Sequence, residues 1–253
     1  MNGQERANLV NICLKKLHEA GVDVVSLTCD GPPCNFSMIS SLGASLDMDN
    51  FQTHFNHPLA LNKKVYVLLD ICHMIKLVRN TLGKGLILID KDGGKISWQY
   101  IVELEKIQRQ EGLRLGNKLK RSHIDFRQQV MKVSLATQAL SKSRADAIEH
   151  CNKALKLQVF KGSEATVKFI RLVDYLFDVL NSRNPLALGS KAPLRQNNKR
   201  VWKPFFEEAF HYFLHLKEST GVAMYKSKRK TGFVGFMAGI RSTKKIFEEC
   251  IEN

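Results

Sequence analysis

The residue with the clearest chemical potential is Asp70, which directly follows an apolar run and directly precedes a helical pattern. Residues 64–69 are typical of a buried strand, since strands covered on both faces have continuous apolar sequences. A carboxylate at the carboxyl end of such a strand is where α/β folds present metal ligands and phosphate-binding groups. The alternative is structural, because Asp is also a preferred N-cap and residues 71–82 have a helical period.

A second acidic residue, Asp30, ends another predicted strand, which covers residues 23–29. The residues that follow it are Gly31, Pro32 and Pro33, and this order favours a turn in which Asp30 accepts hydrogen bonds from nearby backbone amides. We therefore expect a structural role for Asp30. A metal or active-site role is the alternative.

Positioning these carboxylates requires an α/β layer, and the amino-terminal part of the chain has the pattern for one. Residues 5–20 predict an amphipathic helix with one apolar face, which consists of Leu9, Ile12, Cys13 and Leu17. A short helix near residues 36–43 and an irregular stretch through Pro58 follow. Helix, strand, helix, strand and helix in this order predict parallel pairing of the two strands.

The rest of the chain is mostly helical. Residues 86–90 predict a short strand with a turn, and helical periodicity begins at Ser97. Ser163 is a predicted N-cap before an apolar stripe, which consists of Val167, Ile170, Val173, Phe177 and Leu180. A second stripe consists of Phe206, Ala209, Phe210 and Phe213. Residues 184–203 predict an exposed basic loop, either a phosphate-contacting arm or a solvated linker. A turn at residues 231–233 precedes a final helix.

The composition favours a folded protein with a polyanionic partner. The 253 residues include 39 Lys and Arg against 24 Asp and Glu, and the net charge of +15 suits phosphate neutralisation. The alternative is a basic protein without a nucleic-acid role.

The six cysteines are not spaced in a pattern typical of disulfide-bonded domains, which favours a reducing compartment, the cytosol or the nucleus. No apolar stretch has the length of a membrane span, and we expect no membrane association.

Several of these segments, taken together and in order, resemble the P element transposase family, including its THAP-type relatives. The first two segments that carry the resemblance are Thr28–Asn35 and Asp70–Asn80. Later segments are Asn117–Leu119, Met131–Ala136, Phe177–Arg183 and Thr231–Phe233. The resemblance implies an α/β plus all-α protein, in which a partial RNase H-like core is interrupted by a mostly helical insertion domain. We expect core segments at residues 1–105 and 221–253 and the insertion domain at residues 106–220.

The resemblance also implies the chemistry of a DNA transposase, in which acidic residues hold divalent ions such as Mg²⁺. Asp70 matches the family's second catalytic aspartate and is the predicted metal ligand. The first aspartate would lie on a strand that precedes residue 1, and the catalytic glutamate would follow the Thr231–Phe233 region. We therefore expect a nuclear DNA-binding fragment that cannot catalyse transposition by itself. The alternatives are an enzyme completed by another chain and a domesticated, non-catalytic DNA- or protein-binding module, and a homo-oligomer is left open.

The insertion domain of this family binds guanine nucleotide, and the resemblance alone carries this expectation. The chain has no P-loop pattern of the type GxxxxGK[ST], which is the common phosphate cradle. The predicted GTP-binding residues are Lys118, Lys132, Val133, Asp178 and Asn181. A carboxylate such as Asp178 can accept both the N1 and N2 hydrogens of guanine, which adenine does not offer. In this interpretation GTP is a structural cofactor, and the alternative is a capped helix end with surface lysines.

Overall fold

The computed structural model describes residues 1–111 and 119–252 as helices joined by two small sheets. The helices are α1 (Gly3–Glu19), α2 (Pro33–Ser41), α3 (Ile71–Gly83), α4 (Gln99–Glu111), α5 (Arg121–Ile124), α6 (Val133–Ala139), α7 (Lys142–Lys153), α8 (Glu164–Leu180), α9 (Lys199–His215) and α10 (Thr231–Cys250). The strands are β1 (Ser26–Cys29), β2 (His54–Asn56), β3 (Lys64–Leu69), β4 (Leu88–Ile89), β5 (Lys95–Ile96) and β6 (Lys217–Glu218). Within the described ranges, none of the helices is both long and apolar enough to cross a bilayer.

The first sheet has β3 at its centre, with β1 parallel to it on one side and β2 antiparallel on the other. The side chains of Val65, Tyr66 and Val67 are buried, as expected for a strand that is covered on both faces. The predicted strand at residues 64–69 and the parallel pairing are confirmed, and the predicted helix at residues 71–82 is confirmed as α3. β2 was not predicted, because three residues are too few to show a strand period.

The predicted amino-terminal helix is confirmed as α1, but its apolar face is largely exposed. Leu9, Ile12 and Leu17 face solvent, whereas an amphipathic surface helix ordinarily turns such a stripe towards the core. α1 instead buries Gly3, Ala7 and Leu14 and packs against α2. A Cβ on Gly3 would lie 2.8 Å from the carbonyl carbon of Ser37, so the glycine permits this close approach.

The helical part of the chain packs around α8. The stripe that includes Val167, Ile170 and Val173 is buried, as predicted. Ser163 is at the N-cap position of α8, but its side chain makes no capping hydrogen bond, so this detail of the prediction is wrong. The predicted loop at residues 184–203 ends earlier than expected, because α9 begins at Lys199.

Two elements near the end of the chain, β6 and α10, pack against elements from its first hundred residues. β4 pairs antiparallel with both β5 and β6, and the predicted strand at residues 86–90 is confirmed in part as β4. α10 packs on α3 and β3, and its inward face carries Gly232, Gly235 and Gly239. The predicted turn at residues 231–233 is wrong, because these residues form the first turn of α10. The final helix is confirmed.

Candidate metal centre and nucleotide site

Asp70 lies at the carboxyl end of β3 and also caps α3, so its position is compatible with both interpretations of its sequence context. Its backbone amide donates to the carbonyl oxygen of Cys29 at 2.8 Å, which extends the pairing of β1 and β3 to the strand ends. One carboxylate oxygen, Oδ1, accepts a hydrogen bond from the amide of Cys72 at 2.9 Å. The cap uses this one oxygen and leaves Oδ2 for another ligand.

The Asp70 side chain is half-buried and lines a cleft of 270 Å³. The cleft is formed by the ends of β1 and β3, the segment that follows α8, and α10. Its lining residues are Thr28, Leu68, Leu69, Asp70, Ile71, Leu180, Asn181, Ser182, Arg183, Gly239 and Thr243. Asp70 is therefore neither sealed in the apolar core nor remote from a concave surface, and this position leaves its predicted role as a metal ligand open.

Asp30 follows β1 directly, beside Asp70. The register pairs Cys29 with Leu69, so the two aspartates follow adjacent ends of parallel strands. The side-chain amide of Asn35 donates to Oδ1 of Asp30 at 2.6 Å and to its carbonyl oxygen at 3.1 Å. Arg6 in turn donates to Oδ1 of Asn35 at 2.9 Å. The expectation that backbone amides hold Asp30 is wrong in this detail, because a side-chain amide does so, and the Asp30 carboxylate remains exposed.

Two cysteines precede or follow these aspartates closely in the chain, and the pKa of each thiol is raised. Burial and the charge of Asp30 raise the pKa of Cys29 to about 11, so this thiol stays neutral near pH 7. The pKa of Cys72 is raised by burial and by Asp70, and Arg183 and Lys76 oppose the shift. Mg²⁺ takes oxygen ligands and is usually held by one or two carboxylates with water, so Asp70 suits it, whereas Asp30 follows the neighbouring strand and is not among the residues that line the cleft. Among the described residues there is no group of three or more His, Cys, Asp or Glu side chains that could hold a metal ion.

Asn181 belongs to the Asp70 cleft. It is the C-cap of α8, and the thiol of Cys72 donates to its Oδ1 at 3.7 Å. Asp178 lies three residues earlier in the chain but lines a different cavity. The structure therefore separates two residues that were predicted to bind the same nucleotide, and it brings Asn181 together with Asp70.

Asp178 lines a cavity of 520 Å³ between α6, α7 and α8. Its Oδ2 accepts a hydrogen bond from the hydroxyl of Ser190 at 2.8 Å, and its Oδ1 lies 3.6 Å from Nζ of Lys191. The residues that line the cavity are Thr137, Gln138, Ser141, Lys142, Ser143, Arg144, Asp174, Phe177, Asp178 and Lys191. Lysine side chains, hydroxyl groups and a carboxylate in one cavity are a donor and acceptor set that suits a purine nucleotide.

The other predicted nucleotide ligands are not among the residues that line this cavity. Lys132 is exposed and is the N-cap of α6, and Val133 begins that helix and packs partly against the core. Lys118 lies outside the described residues. Asp174 and Lys142 were missed from the sequence, although the spacing of Asp174 and Asp178, four residues apart on α8, is the signal that puts both carboxylates on one helix face.

The Asp174 carboxylate should make stability depend on pH. Burial raises its pKa from 3.8 to about 6, the amide of Lys142 opposes the shift, and the charge of Asp178 adds to it. Because the folded-state pKa is above the unfolded value, this group costs stability as the pH rises from about 4 to about 6. Asp174→Asn should therefore raise the free energy of unfolding at pH 8 by about 1 kcal/mol, after discounting for solvent screening, and leave it unchanged near pH 3.5. Urea denaturation at both pH values measures this.

Asp146 provides the matched control. Its burial is outweighed by hydrogen bonds from Lys142 and Arg171, which lower its pKa. Asp146→Asn should therefore lower the free energy of unfolding at pH 8, and its effect should shrink as the pH falls towards 3. A stabilising effect of Asp174→Asn that is the same at both pH values would show that charge burial is not its cause.

Comparisons with known proteins identify the two parts of the chain. Residues 1–43 match the family model "TNP-like, RNase H N-terminal domain", and residues 72–193 match "TNP-like, GTP-binding insertion domain". The human DNA transposase THAP9 is 30% identical over 250 residues, which is 99% of this chain and 27% of THAP9. The Drosophila melanogaster transposable element P transposase is 32% identical over 176 residues, which is 69% of this chain and 22% of that protein.

The fold agrees with a solved structure of the same family. The chain superimposes on a protein of the Drosophila P element transposase strand transfer complex with a TM-score of 0.82 and 26% identity, covering 97% of this chain and 53% of that chain. This chain thus spans about a quarter of the length of the curated relatives. The predicted RNase H-like core with a helical insertion is confirmed, whereas the domain boundaries stay predictions. The chain is a relative of the P element transposases and contains part of their RNase H-like core together with the GTP-binding insertion domain.

Proposed function

We propose that this chain is the part of a P element-like DNA transposase that holds a divalent metal ion beside DNA and binds guanine nucleotide as a structural cofactor in the nucleus. The observation that carries the proposal is the position of Asp70, which follows a central parallel strand and lines an open cleft. In open α/β sheets, ligands bind in the crevice outside the carboxyl ends of the strands.

Asp70 and Arg183 of the cleft, and Asp30 at the end of the neighbouring strand, have separate roles in this proposal. Asp70 and Asp30 would hold Mg²⁺, which when bound activates the attacking oxygen and stabilises the leaving oxygen of a phosphodiester. Arg183 lines the same cleft and offers a guanidinium to a DNA phosphate. A pair of metal ions needs more oxygen ligands than two aspartates supply. Strand cleavage and joining therefore require at least one carboxylate in addition to these two.

The charge of the chain supports DNA as the partner. The excess of 15 positive charges is distributed over many segments, and residues 179–206 contain six Lys and Arg and no Asp or Glu. This acid-free segment begins at the end of α8 and includes residues that line the Asp70 cleft. Phosphate groups approaching Asp70 would thus meet a positive surface, which offsets the repulsion between phosphate and carboxylate.

The cavity at Asp178 supports the nucleotide part of the proposal. Its volume of 520 Å³ lies within the range of about 300–1,000 Å³ that is common for ligand pockets. Asp178 would read the N1 and N2 hydrogens of guanine in place of its contact with Lys191, and Lys142 would approach the phosphates. The same cavity offers no P-loop cradle, so side chains rather than a glycine-rich loop must contact the phosphates.

Replacing Asp178 with alanine should weaken GTP binding by about 10–100-fold, because a charge-assisted pair of hydrogen bonds is lost. ATP binding should be weak in the parent chain and unchanged in the variant, since adenine lacks both donors. Titration of fluorescent GTP and ATP analogues, followed by anisotropy, measures both affinities.

The control for this experiment is Glu164→Ala. Glu164 lies on the same helix, 14 residues from Asp178 and thus about 21 Å away along the axis, and its carboxylate accepts a hydrogen bond from the side-chain amide of Asn152. This variant should keep the GTP affinity of the parent. Equal loss of GTP and ATP binding in Asp178→Ala would contradict guanine reading by this carboxylate.

A further inference from the structure

The segment between α8 and α9 presents two leucines almost completely to solvent. Leu186 is 83% exposed and Leu188 is 88% exposed, the largest exposed fractions of any large apolar side chain in the described ranges. Single exposed leucines are ordinary, but here two exposed leucines flank one alanine within a single short segment. We call residues 182–191 the leucine loop.

Hydrogen bonds hold the leucine loop in a defined shape. The guanidinium of Arg195 donates to the carbonyl oxygen of Pro185 at 3.0 Å, and the amide of Leu186 donates to Oδ1 of Asn184 at 2.9 Å. The hydroxyl of Ser182 also donates to the carbonyl oxygen of Lys191 and closes the base of the loop. The leucines are thus presented on a turn that is already ordered, which lowers the entropy cost of binding through them.

The charge around the loop identifies the occupant as a polyanion. The loop lies within residues 179–206, which lack acidic side chains and carry Arg183, Lys191, Arg195, Lys199, Arg200 and Lys203. Lys191 and Lys199 are already paired, with Asp178 and Glu252. Arg183 and Arg200 are exposed. Apolar tips flanked by basic side chains are what minor-groove proteins insert between base steps of DNA.

The loop starts at the Asp70 cleft, which favours DNA over other polyanions. Asn181, Ser182 and Arg183 line the cleft together with Asp70. Leu186 follows Arg183 by three residues, so their Cα atoms are at most about 11 Å apart. Along one DNA strand this distance corresponds to about three nucleotides at roughly 3.4 Å each. A phosphate held in the cleft would therefore bring neighbouring base pairs within reach of the leucines.

We propose that Leu186 and Leu188 form a wedge that enters the base stack of DNA next to the phosphate bound at Asp70, with Arg183 and Arg195 contacting the flanking phosphates. The wedge unstacks one base step and kinks the duplex, and the nearly complete exposure of both leucines means that most of their apolar surface is buried only when DNA is bound. This inference rests on the proposed function, because it requires that the chain binds DNA.

The test measures base unstacking and DNA affinity separately. Duplexes of about 20 base pairs carry 2-aminopurine at flexible pyrimidine–purine steps, and a second set carries a terminal dye for anisotropy. The full chain should raise 2-aminopurine fluorescence about twofold or more at one or several positions, since unstacked 2-aminopurine is brighter. The double variant Leu186→Ser/Leu188→Ser should lose this rise, while its DNA affinity falls by less than about tenfold because phosphate contacts dominate affinity.

Leu61→Ser is the matched control. Leu61 is 74% exposed, also lies in a turn, and precedes β3, whereas Asp70 follows that strand, so about 20 Å of strand separates the two. This variant should keep both the fluorescence rise and the affinity of the parent.

The outcomes distinguish the wedge from DNA binding itself. Salt-dependent DNA binding by the parent without a leucine-dependent fluorescence rise would overturn the wedge and leave the proposed function standing. Absence of DNA binding by the parent would overturn both. Leucine-dependent sedimentation with phosphatidylserine vesicles, without any fluorescence change on DNA, would assign the loop to a membrane surface and reject the wedge.

Discussion

Replacing Asp70 with asparagine is expected to raise the dissociation constant for Mn²⁺, used as a probe for Mg²⁺, by at least about tenfold. The substitution removes one of the two negative charges that would attract the cation. The folded state should survive, because asparagine caps a helix as well as aspartate does, and its Oδ1 can keep accepting from the amide of Cys72. The free energy of unfolding without metal should therefore change by less than about 0.5 kcal/mol.

The measurement is the stabilisation of the chain by Mn²⁺ in urea denaturation, which needs no catalytic activity. A ligand at about 100 times its dissociation constant raises the free energy of unfolding by about 2.7 kcal/mol when it binds only the folded state. A tenfold weaker site loses about 1.3 kcal/mol of this at the same Mn²⁺ concentration. Asp30→Asn should reduce the stabilisation as well, because Asp30 follows the neighbouring parallel strand and its carboxylate is exposed.

Asp23→Asn is the control, since Asp23 precedes β1 and lies at the opposite end of the same sheet. It pairs with Lys63 on the surface, where an ion pair contributes little stability. Its variant should keep the full Mn²⁺ stabilisation. If all three variants respond to Mn²⁺ as the parent does, there is no metal site at the strand ends. DNA binding that persists in such a chain would favour the alternative of a non-catalytic DNA-binding module.

Local patterns in the sequence predicted the elements around Asp70 because each pattern is complete within a few residues. The apolar run of β3 has the composition of a fully buried strand, and a helical period begins directly after Asp70. The face of α1 that is buried could not be predicted from the sequence of α1 itself. Its leucines have helical spacing, but α2 contacts the side that carries Gly3 and Ala7. Which face of a helix is buried depends on its partner, and that information lies elsewhere in the chain.

In the candidate site, too, the sequence predicted individual residues but not which of them the fold brings together. The family resemblance predicted that Asp178 and Asn181 bind the same nucleotide, yet Asn181 is the C-cap of α8 and contacts Cys72, whereas Asp178 contacts Ser190. The helix end is therefore shared by two cavities. Asp30 was assigned to a turn from the residues that follow it. Its position beside Asp70 became visible only with the register of β1 and β3.

The cleft depends on how closely α10 approaches the sheet, because Gly239 and Thr243 of α10 line it together with Asp70. This approach predicts that Gly235→Ala lowers the free energy of unfolding by about 1–3 kcal/mol. A Cβ at this position would lie 2.6 Å from Cγ of Met74 and still closer to its Sδ, and Met74 is itself completely buried. Helix propensity alone would predict that Gly235→Ala raises the free energy of unfolding, since alanine stabilises a helix interior by about 1 kcal/mol relative to glycine.

A double-mutant cycle separates the steric effect from helix propensity. Gly239→Ala is the matched control on the same helix, because its Cβ would meet only the side-chain end of Leu180, with Cδ1 at 3.2 Å, and its effect should be neutral or slightly stabilising. In a Met74→Ala background the obstacle is gone, so Gly235→Ala should become neutral or stabilising there. The same loss in both backgrounds, measured by urea denaturation, would show that contact with Met74 is not what requires a glycine. A coupling energy of about 1 kcal/mol or more would instead show that the small residue at position 235 sets the separation of α10 and α3, and with it the width of the cleft beside Asp70.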